Sequence, residues 1–184
     1  MKKSDRNRLI GNVTLIVLLF LIGYTMQAQS VNSIYYNMYG KMIISGQVED
    51  STLMMQTNRL TISLNYKSAE VVIRLDPKTL TKKNEIVKST ESYNSEVLFR
   101  GKLGLDYVIT EKHPPLDFEV EGYLVKDGRD TRVIGTGHLE HIHGEAYACV
   151  LNMDFQVSPQ LININWPGKN DIQIKMQTIL KKEN

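Results

Sequence analysis

Four histidines and one cysteine are the side chains of this sequence best suited to metal binding or nucleophilic chemistry. Three of the histidines, His138, His141 and His143, form an H-x-x-H-x-H cluster. On an extended strand successive side chains point to opposite faces, so His141 and His143 share one face and His138 takes the other. Two imidazoles at this spacing make two corners of a zinc or copper site, and Glu145, beyond a turn, is a third possible ligand. A complete site needs three or four ligands at about 2 Å, and spacing supplies two. His141 and His143 are therefore weak metal candidates, and a solvated strand end is the plainer reading. His113, beside Pro114 and Pro115, reads as a loop residue. Cys149 has no cysteine partner. It falls on the apolar face of a strand, where a thiol is buried and inert, and no histidine is brought near it by spacing. Asp117, Glu119 and Glu121 recur at every second position, the solvated side of a half-buried strand and not an acid–base pair. No Gly-x-Ser-x-Gly elbow and no glycine-rich phosphate loop occurs. These residues point away from an enzyme and call for no cofactor.

The elements that position these residues begin after an export leader. Lys2, Lys3, Arg6 and Arg8 form a basic head, Val13 to Ile22 an apolar run, and Thr25-Met26-Gln27-Ala28 a polar exit. This is the layout of a secretory signal peptide. A membrane span needs about 20 apolar residues, more than this run offers. The expectation is a signal peptide over 1–28, cleaved after Ala28, and a single domain over 29–184. That domain would be periplasmic or secreted and would not span a membrane. The whole chain carries a formal +2. The leader accounts for +3 of that, with its four basic residues and Asp5, which leaves the remainder near −1. A near-neutral, mixed-sign surface lacks the basic stripe that nucleic acid requires. With a single cysteine, stability must come from packing.

Alternation dominates the rest of the chain. Leu60, Ile62, Leu64 and Tyr66 alternate with polar residues, and Val71, Ile73 and Leu75 follow a Lys67–Glu70 turn. Phe118, Val120, Gly122 and Leu124 form another stripe. So do Tyr147, Cys149, Leu151, Met153, Phe155 and Val157, and then Ile172, Ile174 and Met176. Turns are expected at Lys126–Asp130, where Gly128 supplies a positive φ, at His143–Glu145 and at Trp166–Asn170. Only Pro77 to Leu105, rich in Lys and Glu, breaks the rhythm and reads as a long, partly helical excursion. About eight sequential strands with local connections indicate an all-β protein, an antiparallel barrel or sandwich. In a closed barrel one face lines the inside, and about eight strands either fill it with side chains or leave room for one small ligand. Methionines such as Met42, Met54, Met55, Met153 and Met176 are core filler or an adaptable lining.

Three stretches resemble the YceI-like family of exported barrels. The first runs from Ser45-Gly46-Gln47-Val48 to Asn84 and includes Leu60–Leu64 and Ala69–Asp76. The second is Leu105–Phe118, and the third Gly135–Glu145 with the strand that follows to Phe155. In the second, His113 stands where that family usually has an aromatic before proline. The resemblance implies a lipocalin-like antiparallel β-barrel that holds a polyisoprenoid or related lipid, with no catalytic residue to carry over. The expected ligand is therefore an apolar, isoprenoid- or acyl-chain-like molecule. The expected lumen lining is drawn from Leu60, Ile62, Leu64, Val71, Ile73, Phe118, Val120, Leu151, Met153, Phe155, Ile172 and Ile174. The alternative is a ligand-free structural or interaction module of the cell envelope. Trp166 is either a cap at an apolar mouth or a packing plug.

Overall fold

The alternation becomes strands wherever one face can be buried. The structure, a computed structural model, describes residues 34–82, 96–110, 113–126, 128–142, 147–162, 164 and 166–181. The expected leader and the His143–Glu145 turn lie outside the described residues. In chain order the strands are β1 (Ile34–Val48), β2 (Ser51–Asn65), β3 (Glu70–Leu75), β4 (Thr81–Lys82), β5 (Val97–Leu103), β6 (Leu116–Lys126), β7 (Arg129–His141), β8 (Tyr147–Val157) and β9 (Ile172–Lys181). Every pairing is antiparallel. The order β1-β9-β8-β7-β6-β5-β3-β2 returns to β1 through its pairing with β2, so eight strands close into a barrel. The two-residue β4 adds to β2 beside Met55 and Gln56. Closure removes the unpaired edges of an open sheet.

One rim carries the β1–β2 turn, the connection after β3, the β6–β7 turn and the β8–β9 connection. The β6–β7 turn is tighter than the expected Lys126–Asp130 loop. Lys126 pairs with Arg129, and Gly128 takes φ +74°. The short 3₁₀ turns at Pro77–Thr79 and Pro159–Ile162 also lie at this rim. Residues 104–110 fold across the opposite rim, where the Val108 amide donates to the Tyr66 carbonyl at 2.7 Å.

The expected excursion over Pro77–Leu105 needs correction. The described part holds one 3₁₀ turn, and Val97–Leu103 is a full member of the barrel, pairing β3 on one side and β6 on the other. Its inward positions are Val97, Phe99, Gly101 and Leu103, so a glycine interrupts the apolar stripe that would have marked it. The interruption has a packing reason. A β-carbon on Gly101 would stand 2.5 Å from Phe99 Cζ, and one on Gly122 2.6 Å from the same atom. One on Gly135 would stand 2.5 Å from Phe155 Cδ1, and one on Gly137 would run into the Phe118 ring. The three inner phenylalanines thus lie flat over glycines, and Phe99 meets Phe155 edge to face at 5.3 Å.

Gly137→Val should therefore expel the Phe118 ring and cost about 1–3 kcal/mol, as overpacked cores do. Thr136→Val, on the exposed side of the same strand, should change stability by less than about 0.5 kcal/mol. Urea denaturation of both variants checks the contrast.

Candidate functional site: the barrel lumen

Packing of the inward stripes makes the candidate site. All twelve residues expected to line the lumen are buried, from Leu60, Ile62, Leu64, Val71 and Val120 to Ile172 at no exposure and Phe118 at 9%. They do not line open space equally. The interior holds a void of about 30 Å³ towards the rim that carries the β8–β9 connection. Of the twelve, Ile73, Phe155 and Ile174 face it. Leu60, Ile62, Leu64, Val71, Phe118, Val120, Leu151, Met153 and Ile172 are packed in the core away from it. The other lining residues are Met42, Leu75, Val97, Phe99, Leu124, Val133, Val157, Ile162 and Met176, so every side chain around the void is apolar. Val97 and Phe99 escaped the sequence reading because their strand did. Ile162 escaped it because it belongs to a 3₁₀ turn, where no period-two pattern marks the inward side.

Both rims are covered. At one, Trp166 is a buried plug: β-carbons built on Gly46 would stand 2.9 Å from Trp166 Cζ2 and from Ile172 Cγ2. Its indole N–H is buried and finds no acceptor among the described residues. At the other rim the buried Tyr66 donates its hydroxyl to the Lys181 carbonyl at 2.9 Å and stacks on Tyr35 at 6.0 Å. Tyr35 in turn donates to the Ile179 carbonyl at 2.6 Å. These bonds bridge a lapse in the wall. The β1–β9 ladder runs only from Lys41–Gln177 to Ser45–Gln173, and past it side chains join the two strands, with Asn37 Nδ2 also donating to Thr178 Oγ1 at 2.8 Å.

The histidine and cysteine assignments change in part. His113 lies 36 positions from Cys149, yet the loop over the rim brings its Nε2 to 3.4 Å from the thiol sulfur. His141 pairs with Cys149 across the β7–β8 ladder, and its ring is 6.1 Å from that of His113. The expectation that spacing brings no histidine near Cys149 is therefore overturned: the ladder itself sets His141 opposite it, and the connection over the rim adds His113. The surroundings of the thiol favour its protonated form. Burial pushes the group up to about 11, and its hydrogen points at the Ile109 carbonyl. Among the described residues no three His, Cys, Asp or Glu side chains converge as a metal site, and His143 and Glu145 lie outside them. His138 sits on the outer face, bound to Asp117 at 2.7 Å. Glu121 pairs with Arg132 at 2.7 Å, and that hydrogen bond and charge hold its carboxyl below the usual range. The pair is exposed, as the alternation of Asp117, Glu119 and Glu121 requires.

The outer wall also carries a trough of about 850 Å³ across β6 to β9 and β1, where Asp117, His138, Asn152, Asp154, Lys175 and Gln177 stand beside Lys41, Ile43 and a largely apolar surface. Several of these polar groups pair with one another. Gln177 donates to Asn152 at 3.0 Å, and Gln173 to Asp154 at 2.9 Å. The lumen, apolar at every lining position, and not this trough with its charged side chains, is the candidate site.

No protein-family model matches this sequence, and no curated protein is similar to it. A solved structure of a polyisoprenoid binding domain from Saccharophagus degradans, implicated in plant cell wall breakdown, shares its fold. The TM-score is 0.56 at 5% identity, over 83% of this chain and 99% of that domain. The fold is a lipocalin-like antiparallel barrel. Identity so low establishes the architecture alone, and that architecture is the one implied by the resemblance at Ser45–Asn84, Leu105–Phe118 and Gly135–Phe155.

The state of Cys149 is testable. Its folded value near 11 lies above the ordinary 9.0, so the unfolded chain ionises first as pH rises. The resulting stabilisation is whole below about pH 9 and is lost between 9 and 11. Iodoacetamide at neutral pH should label Cys149 only in denaturant, and Cys149→Ala should flatten this part of the alkaline stability profile.

Proposed function

We propose that this protein is an exported, non-enzymatic carrier that holds one apolar, isoprenoid- or acyl-chain-like molecule in the barrel lumen. The observation that carries the reading is the lining of the interior void, apolar at every position. The shared fold with a polyisoprenoid binding domain supports it. Affinity would come from area. Each methylene removed from water contributes about 0.8 kcal/mol, so a chain of about 12 carbons gains roughly 10 kcal/mol before ordering costs.

Volume limits how that gain is reached. About 30 Å³ is one water molecule's share of space, whereas ligand pockets occupy roughly 300 Å³ or more. A guest must therefore displace side chains. Met42 and Met176 line the void, and methionine is the apolar side chain that rearranges at least cost. The same small void favours a second reading, a filled barrel that works as a structural or interaction module of the envelope.

Protein taken from its own host separates the two. Native mass spectrometry should find a chain beginning after Ala28 with a solvent-extractable apolar molecule attached. Phe155→Ala, which enlarges the void at a cost of about 3–5 kcal/mol, should bind a fluorescent acyl probe more tightly than the wild type. An apo mass alone, with no probe bound by either protein, would leave the module as the function.

A further inference from the structure

The barrel's outer surface is not uniform, and its asymmetry points to a partner that the lumen does not reveal. Most of the large apolar side chains that stand exposed lie on two adjacent strands: Ile34, Tyr36, Met38, Tyr39 and Ile43 on β1 and Ile179 on β9. Tyr39 is 76% exposed, Tyr36 60%, Ile34 56% and Met38 51%. Ile34, Tyr36 and Met38 share one outward face by alternation, and the Tyr35 hydrogen bond to the Ile179 carbonyl holds Ile179 beside them. The charges follow the same division. β9, β1 and β2 contain no aspartate or glutamate, and their exposed ions are Lys41, Arg59, Lys175 and Lys181. The β1–β2 turn holds Glu49 and Asp50 at the far rim, away from the apolar patch. On β6 and β7, by contrast, the exposed carboxylates Asp117, Glu119, Glu121, Asp130 and Glu140 outnumber the cations Lys126, Arg129 and Arg132.

We infer that the wall formed by β9, β1 and β2 docks on an anionic lipid bilayer. Tyrosine is the side chain that prefers the boundary between headgroups and hydrocarbon, with its ring in the apolar layer and its hydroxyl in the wet one. Ile34, Met38 and Ile179 add apolar area that inserts at the same depth. Lysines beside such a patch meet the negative surface potential of anionic headgroups, and a wall free of carboxylates adds no repulsion. Lys175 is partly engaged by Asp154 at 3.8 Å, so Lys41 and Lys181 carry more of the attraction. The lapse in the β1–β9 ladder lies within this wall. The docking face does not rest on the carrier reading, because it would serve an empty barrel equally well.

The test uses vesicles of phosphatidylglycerol and phosphatidylcholine, with phosphatidylcholine alone as the neutral control. Co-sedimentation should require phosphatidylglycerol and weaken as salt rises. Lys41→Glu/Lys181→Glu should lose about tenfold or more in binding, and Tyr36→Ser/Tyr39→Ser should lose binding with an unchanged melting temperature. Because Cys149 is buried, a nitroxide attaches selectively to a cysteine introduced by Met38→Cys or Tyr123→Cys. On vesicles the label at position 38 should become accessible to oxygen, and the label at 123 should stay aqueous. Equal binding to neutral vesicles overturns the proposal, and so does a label at 38 that remains aqueous while the protein is bound. Close approach of two labels at 38 without vesicles would give the face to a second copy and overturn it as well.

Discussion

Closing an eight-stranded sheet on itself forces half of its side chains into a space hardly wider than those side chains. Everything else in this protein follows from how that space is filled. Rings laid over glycines solve the problem here. Phe99 covers Gly101 and Gly122, Phe155 covers Gly135, and Phe118 covers Gly137. Each glycine gives up its own side chain so that a neighbour's ring can lie flat against the backbone, and it lets the wall bend where the ring presses. The pattern is distributed over β5, β6, β7 and β8, so several walls share the volume of three aromatic residues.

A filled interior changes what binding means in such a fold. In a barrel with a ready cavity, affinity follows from the area a guest loses to solvent. Here a guest competes with side chains already in van der Waals contact, and the methionines at the void set how readily the interior yields. The rims matter for the same reason. Trp166 and Ile162 close one, and Tyr66 with residues 104–110 closes the other. The Trp166 indole N–H is buried without an acceptor among the described residues, which costs free energy.

Outside, strand alternation leaves chemistry free to vary, and it varies by wall. Both signs of charge occur on β6 and β7, while β9, β1 and β2 hold cations and exposed apolar groups but no carboxylate. Exposed ion pairs such as Glu121–Arg132 contribute little stability, so the distribution is better understood through what each wall meets than through folding.

Alternation made most of the barrel legible before any coordinates. Leu60–Leu64, Val71–Leu75, Phe118–Leu124, Leu151–Val157 and Ile172–Ile174 all turned their apolar residues inward, because a half-buried strand has a period of two that neighbours in sequence express directly. β5 stayed hidden because Gly101 breaks its stripe, and a glycine's reason for being there is a ring folded over it from Phe99. The approach of His113 to Cys149 stayed hidden because a connection across the rim, with no periodicity of its own, makes it. The sequence by itself determined which face of each strand turns away from water. Only the tertiary structure decided how much room is left where those faces meet, and which outward residues stand together. Side-chain direction is set within a few residues along the chain, whereas volume and surface patches depend on how distant strands close around one axis.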